Sequence, residues 1–96
     1  MKLERYPHLT SRPGIAGGAP IVRGTRTTVR SIARYYQMGM SVDEILQSLP
    51  YLKPAQVHAA LAYYFDHQKQ IDRAIRRNED YDYWQRKLKL KTAKAA

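Results

Sequence analysis

The sequence predicts a mainly α protein that opens with a short β element and continues into three helices, the second and third set as a helix-turn-helix with the third long. Three observations carry that expectation. Four of the five glycines and three of the five prolines fall within residues 1–28. A helical apolar period begins abruptly at Val29. A capping box at Ser41 and a proline at position 54 then mark two further helix starts.

Residues 1–28 interleave glycine and proline with the β-prone pieces Ile21-Val22 and Thr27-Thr28-Val29, a pattern of loops and short strands. A hairpin fits, with Gly14-Ile15 and residues 20–23 as its flanks around Gly17-Gly18, and Pro20 confines its strand to an edge. Strands this short need helical cover or a second copy. Over residues 28–38, Val29, Ile32, Ala33 and Tyr36 fall at i, i+3, i+4 and i+7, with Arg30, Arg34 and Gln37 opposite and Gly39 placed to end the helix. In Ser41-Val42-Asp43-Glu44 the serine hydroxyl accepts the Glu44 amide proton and the glutamate accepts that of Ser41. Val42, Ile45, Leu46 and Leu49 extend the stripe to Pro50.

Pro54 suits the first turn of the third helix, where an amide proton would have no helical acceptor. From there Val57, Leu61, Tyr64, Gln68, Ile71 and Ile75 alternate steps of four and three, as a coiled-coil seam does. One helix is expected to reach about Arg77, with an Asp72–Arg76 pair on its surface and with Gln68 available to set the register of a dimer. The adjacent tyrosines divide, Tyr36 and Tyr64 to the core and Tyr35 and Tyr63 to an interface. The plan is therefore an N-terminal segment at 1–28, a helix-turn-helix core at 29–68, and a helical extension with a basic tail at 69–96.

A chain of 96 residues holds one small domain whose modest core favours self-association. The absence of cysteine excludes disulfides, thiolate metal sites and a cysteine nucleophile. No window approaches the roughly 18–20 apolar residues that span a bilayer, and the first residues lack the apolar run of a signal peptide. A cytoplasmic protein with no membrane partner is expected. His8, His58 and His67 are not at ligand-pair spacing, Asp43 and Glu44 belong to the cap, and Gly18 to Gly24 followed by Thr25-Arg26 does not fit a Walker loop. No catalytic residue, metal, cofactor or small-molecule substrate is expected, and the protein should not be an enzyme.

Seventeen basic against eight acidic residues give a net charge of +9, which favours a polyanion or an acidic protein as partner. The leading end of the third helix presents Lys53, Ala55, Gln56, His58 and Ala59. In a DNA reader Gln56 would bond adenine, Lys53 a phosphate, and the alanines would allow close approach. Any small three-helix domain also joins two helices by a short turn, so spacing alone leaves a plain structural domain open. Arg23, Arg26, Arg30 and Arg34 form a second candidate surface, the last three spaced four apart to meet phosphates or simply to face solvent. Near the end, Tyr81, Tyr83 and Trp84 lie between Glu79, Asp80, Asp82 and the basic Arg86 and Lys87, as a docking peptide for a partner or a strap onto the domain.

Three stretches together resemble one known family. They are Gly14-Ile15-Ala16-Gly17-Gly18-Ala19-Pro20-Ile21-Val22-Arg23-Gly24-Thr25-Arg26 with Val29; Gly39-Met40-Ser41-Val42-Asp43-Glu44-Ile45-Leu46 with Leu49-Pro50-Tyr51-Leu52; and Val57-His58-Ala59-Ala60-Leu61-Ala62-Tyr63-Tyr64. In order and spacing they look like the domain-of-unknown-function family numbered 433, over roughly residues 8–75. The resemblance implies a short N-terminal β element, a homeodomain-like helix-turn-helix and homodimerisation. It also implies an antitoxin role beside a PIN-like ribonuclease toxin, and gives the Gly24-Thr25-Arg26 motif no role. Lys53 stands where many members carry a Ser or Thr cap, and Gln70 where an acid is common. The expected function is a DNA-binding antitoxin whose helix-turn-helix holds operator DNA. Arg76, Arg77, Arg86 or Lys87 would occupy the toxin's carboxylate cluster, beside Tyr81, Tyr83 and Trp84. The alternative is a dimeric protein-interaction module with the same fold that does not read DNA.

Overall fold

The computed structural model describes Leu3 and residues 5–78; the expectations for Tyr81, Tyr83, Trp84, Arg86 and Lys87 lie outside the described residues. Strand β1, Leu9–Thr10, pairs antiparallel with β2, Ile21–Val22, in the register Leu9 with Val22 and Thr10 with Ile21. The expected second strand is present, but its partner is Leu9–Thr10 instead of Gly14-Ile15. Burial decides the register: Leu9 is 0% exposed, whereas Ile15 is only half-buried. Gly17, at φ 64°, sits inside the tight 3₁₀ turn Ala16–Gly18 of the connecting loop. Thr28 then bridges to Ile21, and the Val29 amide donates to the Pro20 carbonyl at 3.0 Å, which fixes where the first helix leaves the hairpin.

Helix α1, Val29–Gln37, is capped by Thr28, whose hydroxyl accepts from the Ser31 amide at 3.0 Å. Its other end is a Schellman closure. Gly39 takes the left-handed φ of 88° that this requires, while the Gly39 amide donates to Tyr36 and the Met40 amide to Tyr35. Helix α2, Val42–Ser48, carries the expected capping box, with Glu44 N–H to Ser41 Oγ at 3.2 Å and Ser41 N–H to Glu44 Oε1 at 3.1 Å. Helix α3, Pro54–Asp66, starts with proline in its first turn, and the Lys53 amide donates to Gln56 Oε1 at 2.7 Å. A lysine side chain offers no acceptor, so only this half of a cap can form there.

The long third helix is broken. His67, at φ −130° and ψ 36°, ends α3, and residues 68–78 form a separate helix, α4. The reason is burial. Ile71 and Ile75 are each 5% exposed and belong to the domain's own core, whereas Gln68 is exposed. Burying each isoleucine contributes about 1.5–3 kcal/mol, against about 1 kcal/mol for a backbone bond lost at the break. The apolar seam is thus used within one chain, and Gln68 does not sit in it. Asp72 bonds Gln37 Nε2 at 2.7 Å and Tyr64 Oη at 2.8 Å in place of the expected pairing with Arg76. Further on, with the Asn78 amide turned so that its oxygen faces Arg30, it accepts from that guanidinium. Asp72 beside Gln37 and Asn78 beside Arg30 make α4 antiparallel to α1.

The core joins Leu9 and Val22 of the hairpin, Val29, Ile32 and Ala33 of α1, Ile45 of α2, and Val57, Ala60, Tyr63 and Tyr64 of α3. Helix α3 is central, packing on α1, α2 and β1. The tyrosines divide differently from expectation: Tyr63 is 1% exposed and Tyr64 2%, while Tyr36 is 43% exposed. No described helix is long and apolar enough to cross a membrane. Replacing Ile71 with alanine should lower the unfolding free energy by about 2–5 kcal/mol. Urea titrations at several protein concentrations check this: a midpoint that moves with concentration would restore a partner seam, while Gln68→Leu should leave oligomeric state unchanged.

Candidate functional site

Between α2 and α3 the connection at residues 49–53 is pinned by buried Leu52, whose amide donates to the Leu49 carbonyl at 3.0 Å. It delivers the start of α3 to the surface. Val57, Ala60, Leu61, Tyr63 and Tyr64 are buried, so the opposite stripe of Ala55, His58 and Ala62 is exposed, with Gln56 and Ala59 half-buried beside it. Lys53 is exposed at the helix start. Gln56 Oε1 is engaged in the cap, so a two-bond contact with adenine would have to break it, whereas the side-chain nitrogen remains a donor.

The four arginines do not form one row. Arg23 lies across β1, its guanidinium donating to the Pro7 carbonyl at 3.3 Å and the Leu9 carbonyl at 3.4 Å. Arg26 precedes α1, so it does not share the helical face of Arg30 and Arg34. Arg30 lines a cleft of about 180 Å³ with Arg77, Pro20, Gln70, Ile71 and Ala74. Arg34 is exposed on the last turn of α1. The sequence assigned Arg30 and Arg77 to different partners; the fold sets them on one cleft. Arg76 is exposed on α4.

Arg26 lines a larger, open cleft of about 570 Å³ with Gly24, Thr25, Thr27, Ser31, Tyr35, Leu49 and Tyr51. Gly24 takes φ 80°, and the turn is closed by Thr25 N–H to the Val22 carbonyl at 3.0 Å and Thr25 Oγ1 to the same carbonyl at 2.8 Å. Thr25 Oγ1 also accepts from the Thr27 amide at 3.1 Å. Across the cleft the Thr27 and Tyr51 hydroxyls are hydrogen-bonded to each other. Thus Thr27, just after the Gly-Thr-Arg segment, touches the connection that leads into α3, and the segment itself faces it across the cleft. Local spacing carries no trace of this contact; the recurrence of the motif in the resemblance was the available signal.

At the break after α3, Tyr6 Oη donates to Asp66, Tyr6 packs edge-on against Tyr63 at 5.1 Å, and His67 stacks on Tyr63 at 4.1 Å. The hydrogen bond to Asp66, then burial, raises the Tyr6 pKa; burial raises that of Tyr63 and, with Asp72, that of Tyr64. Among the described residues no group of three or more His, Cys, Asp or Glu side chains is placed to hold a metal ion. An aromatic pair that sequence periodicity did not reveal lies on the surface: Tyr36 and Phe65 meet edge to face at 5.2 Å, and Phe65 is 49% exposed.

A two-stranded hairpin seated on four helices, the second and third joined by a short turn and the leading end of α3 open, is a small domain of helix-turn-helix type. The chain belongs to the family described as "Protein of unknown function (DUF433)", whose model matches residues 9–64. It is similar to the crystal structure of a DUF433 member protein from Anabaena variabilis ATCC 29413, with a TM-score of 0.66 and 35% identity, over 71% of this chain and 67% of that one. It is also 40% identical over 55 residues to "Uncharacterized protein y4eO" of Sinorhizobium fredii (strain NBRC 101917 / NGR234). That match covers 57% of this chain, which spans a quarter (25%) of the relative's length.

Among the described residues the Tyr63 hydroxyl is the buried side-chain polar atom without a hydrogen-bond partner. Tyr63→Phe should therefore leave stability unchanged or raise it by up to about 1 kcal/mol, since it removes a desolvated group and keeps the ring. A melting temperature lowered by several degrees would show that the hydroxyl is satisfied. The sign of the pH effect follows from the raised pKa values: a neutral phenol favoured in the fold contributes fully below the ordinary value of 10.0 and is lost as pH rises through the folded pKa. Stability measured by urea unfolding should fall above about pH 10, and less steeply in Tyr6→Phe.

Proposed function

We propose that the protein is a dimeric, cytoplasmic DNA-binding antitoxin that sets the leading end of α3 in the major groove of its operator. The segment beyond about residue 69 holds a PIN-like ribonuclease toxin. The observation that carries the DNA half is the exposed front of α3. Ala55, His58 and Ala62 face solvent on a helix whose Val57, Ala60, Leu61, Tyr63 and Tyr64 are buried, and small side chains let the backbone come close to base edges. A net charge of +9 supplies the electrostatic attraction to phosphates. Two copies related by a twofold axis would present two fronts to half-sites roughly 34–36 Å apart.

For the toxin half, Arg76 and Arg77 are exposed at the end of α4. A PIN-like active site is a cluster of carboxylates, and guanidinium groups can occupy it in place of metal through charge-assisted hydrogen bonds. Tyr81, Tyr83 and Trp84 would add apolar anchors, and Arg86 and Lys87 further charge.

A second reading is a protein-interaction module that keeps the fold without reading DNA. The exposed Tyr36–Phe65 pair, with Met38 60% exposed, favours it. Ionic strength separates the two. Phosphate contacts make affinity fall steeply with salt, and an aromatic-centred interface does not.

In a salt series with the duplex upstream of its gene, the protein should bind more tightly than to a scrambled duplex of equal length. Ala55→Glu should weaken the upstream complex at least about tenfold with an unchanged melting temperature. Equal, weak binding of both duplexes would leave only non-specific charge. Joint replacement of Arg76 and Arg77 by alanine should weaken toxin binding and spare the operator; equal loss of both would count against a division between α3 and the C-terminal segment.

A further inference from the structure

We propose that the open cleft between the turn at residues 24–27 and the α2–α3 connection binds a phosphate of the DNA backbone, with Arg26 as the group that holds it. The proposal rests on the DNA-binding reading above and gives the Gly-Thr-Arg segment a task.

The first observation concerns charge. Arg26 is exposed and has no hydrogen bond or ion pair among the described residues, whereas Arg23 is bound to two carbonyls and Arg30 to Asn78. Among the described residues no Asp or Glu lines its cleft. An arginine fork left without an acidic neighbour, five N–H donors wide, matches a phosphate oxyanion.

Second, donors converge there. Tyr35 Oη has no partner among the described residues. In the Thr27–Tyr51 pair one hydroxyl proton makes the mutual bond, and the other is left to donate outward. Ser31 also lines the cleft, and where the buried Thr28 hydroxyl, 2.8 Å away, donates to it, the Ser31 proton is left to point outward over the first turn of α1. That turn holds no acidic residue, so the positive end of the helix dipole adds to the same field.

Third, the support is rigid. Gly24 at φ 80°, with the Thr25 bonds to Val22 and Thr27, holds the segment that carries Arg26, so few backbone degrees of freedom remain to be lost on binding. Finally, position selects the polymer. Sites for small molecules enclose most of their ligand, whereas this cleft is open along one side. Leu49 and Tyr51 belong to the connection that ends at Lys53, the first residue of the α3 front. A duplex that admits this end into its major groove carries the bordering phosphates past that connection.

The test uses fluorescence anisotropy over a salt series with the full chain and the upstream and scrambled duplexes, for wild type, Arg26→Ala and Arg26→Lys. Matched melting temperatures confirm folding. Arg26→Ala should lose about tenfold in affinity on both duplexes alike, and the slope of log K against log salt should shrink by about 0.9, the value for one phosphate. Arg26→Lys should recover most of the slope. Unchanged affinity and slope in Arg26→Ala, on a duplex that Ala55→Glu no longer binds, would overturn this proposal and leave the α3 reading standing. Loss confined to the upstream duplex would make Arg26 a base reader and overturn it as well. Should inorganic phosphate alone saturate the amide resonances of residues 24–27 below millimolar concentration while Arg26→Ala binds DNA normally, the cleft is a free-anion site instead. Wild-type binding to neither duplex removes both readings together.

Discussion

Two adjacent tyrosines on one helix decide the shape of the domain. Successive helical residues point about 100° apart, so burying both Tyr63 and Tyr64 requires cover on two sides of α3. Tyr63 is enclosed by Tyr6 and His67, and Tyr64 meets Tyr36 across a ring contact and shares the Gln37–Asp72 hydrogen bonds. The N-terminal segment supplies one cover and α1 with α4 the other. What remains open on α3 is the stripe of Ala55, His58 and Ala62, with Phe65 and Asp66 at its far end. The exposed front is therefore a product of the packing behind it.

The same constraint explains the break at His67. A continuous helix would have carried Ile71 and Ile75 into solvent or onto a second chain, and the bend returns them to the core. Asp72 and Asn78 then fasten α4 along α1 through Gln37 and Arg30. One polar network thus does for a single chain what a coiled-coil partner would otherwise do. It also draws Arg77 to Arg30, so the electrostatics of the surface follow the tertiary path of the chain more than its local helical spacing.

Elements with local signatures were legible in the sequence. The Ser41–Glu44 box, Pro54 at the start of α3, and Gly39 at the end of α1 are each set by hydrogen bonds or φ angles within a few residues. Three features were not legible. A strand of two residues, Leu9–Thr10, is too short for period-two alternation to register, and only the burial of Leu9 identifies it. His67 is no helix breaker by propensity, so nothing in the letters marks the bend. Adjacent pairs such as Tyr35-Tyr36 leave the stripe ambiguous by one position, which is why Tyr36 and Tyr63 exchanged places. Of the site, the front of α3 was visible because it follows from helical spacing. The cleft at Arg26 was not, because residues 24–35 and 49–51 meet only in the folded chain.

The exposed stripe of α3 has a bearing on how this surface can change with time. Ala55 and Ala62 present only methyl groups to solvent, and substitutions there leave Val57, Ala60, Leu61, Tyr63 and Tyr64 undisturbed. Exposed helix positions tolerate most side chains within about half a kcal/mol. Duplicated copies of the domain are thus free to drift apart on this face while keeping one interior, because the side chains that change are not the ones that hold the fold together.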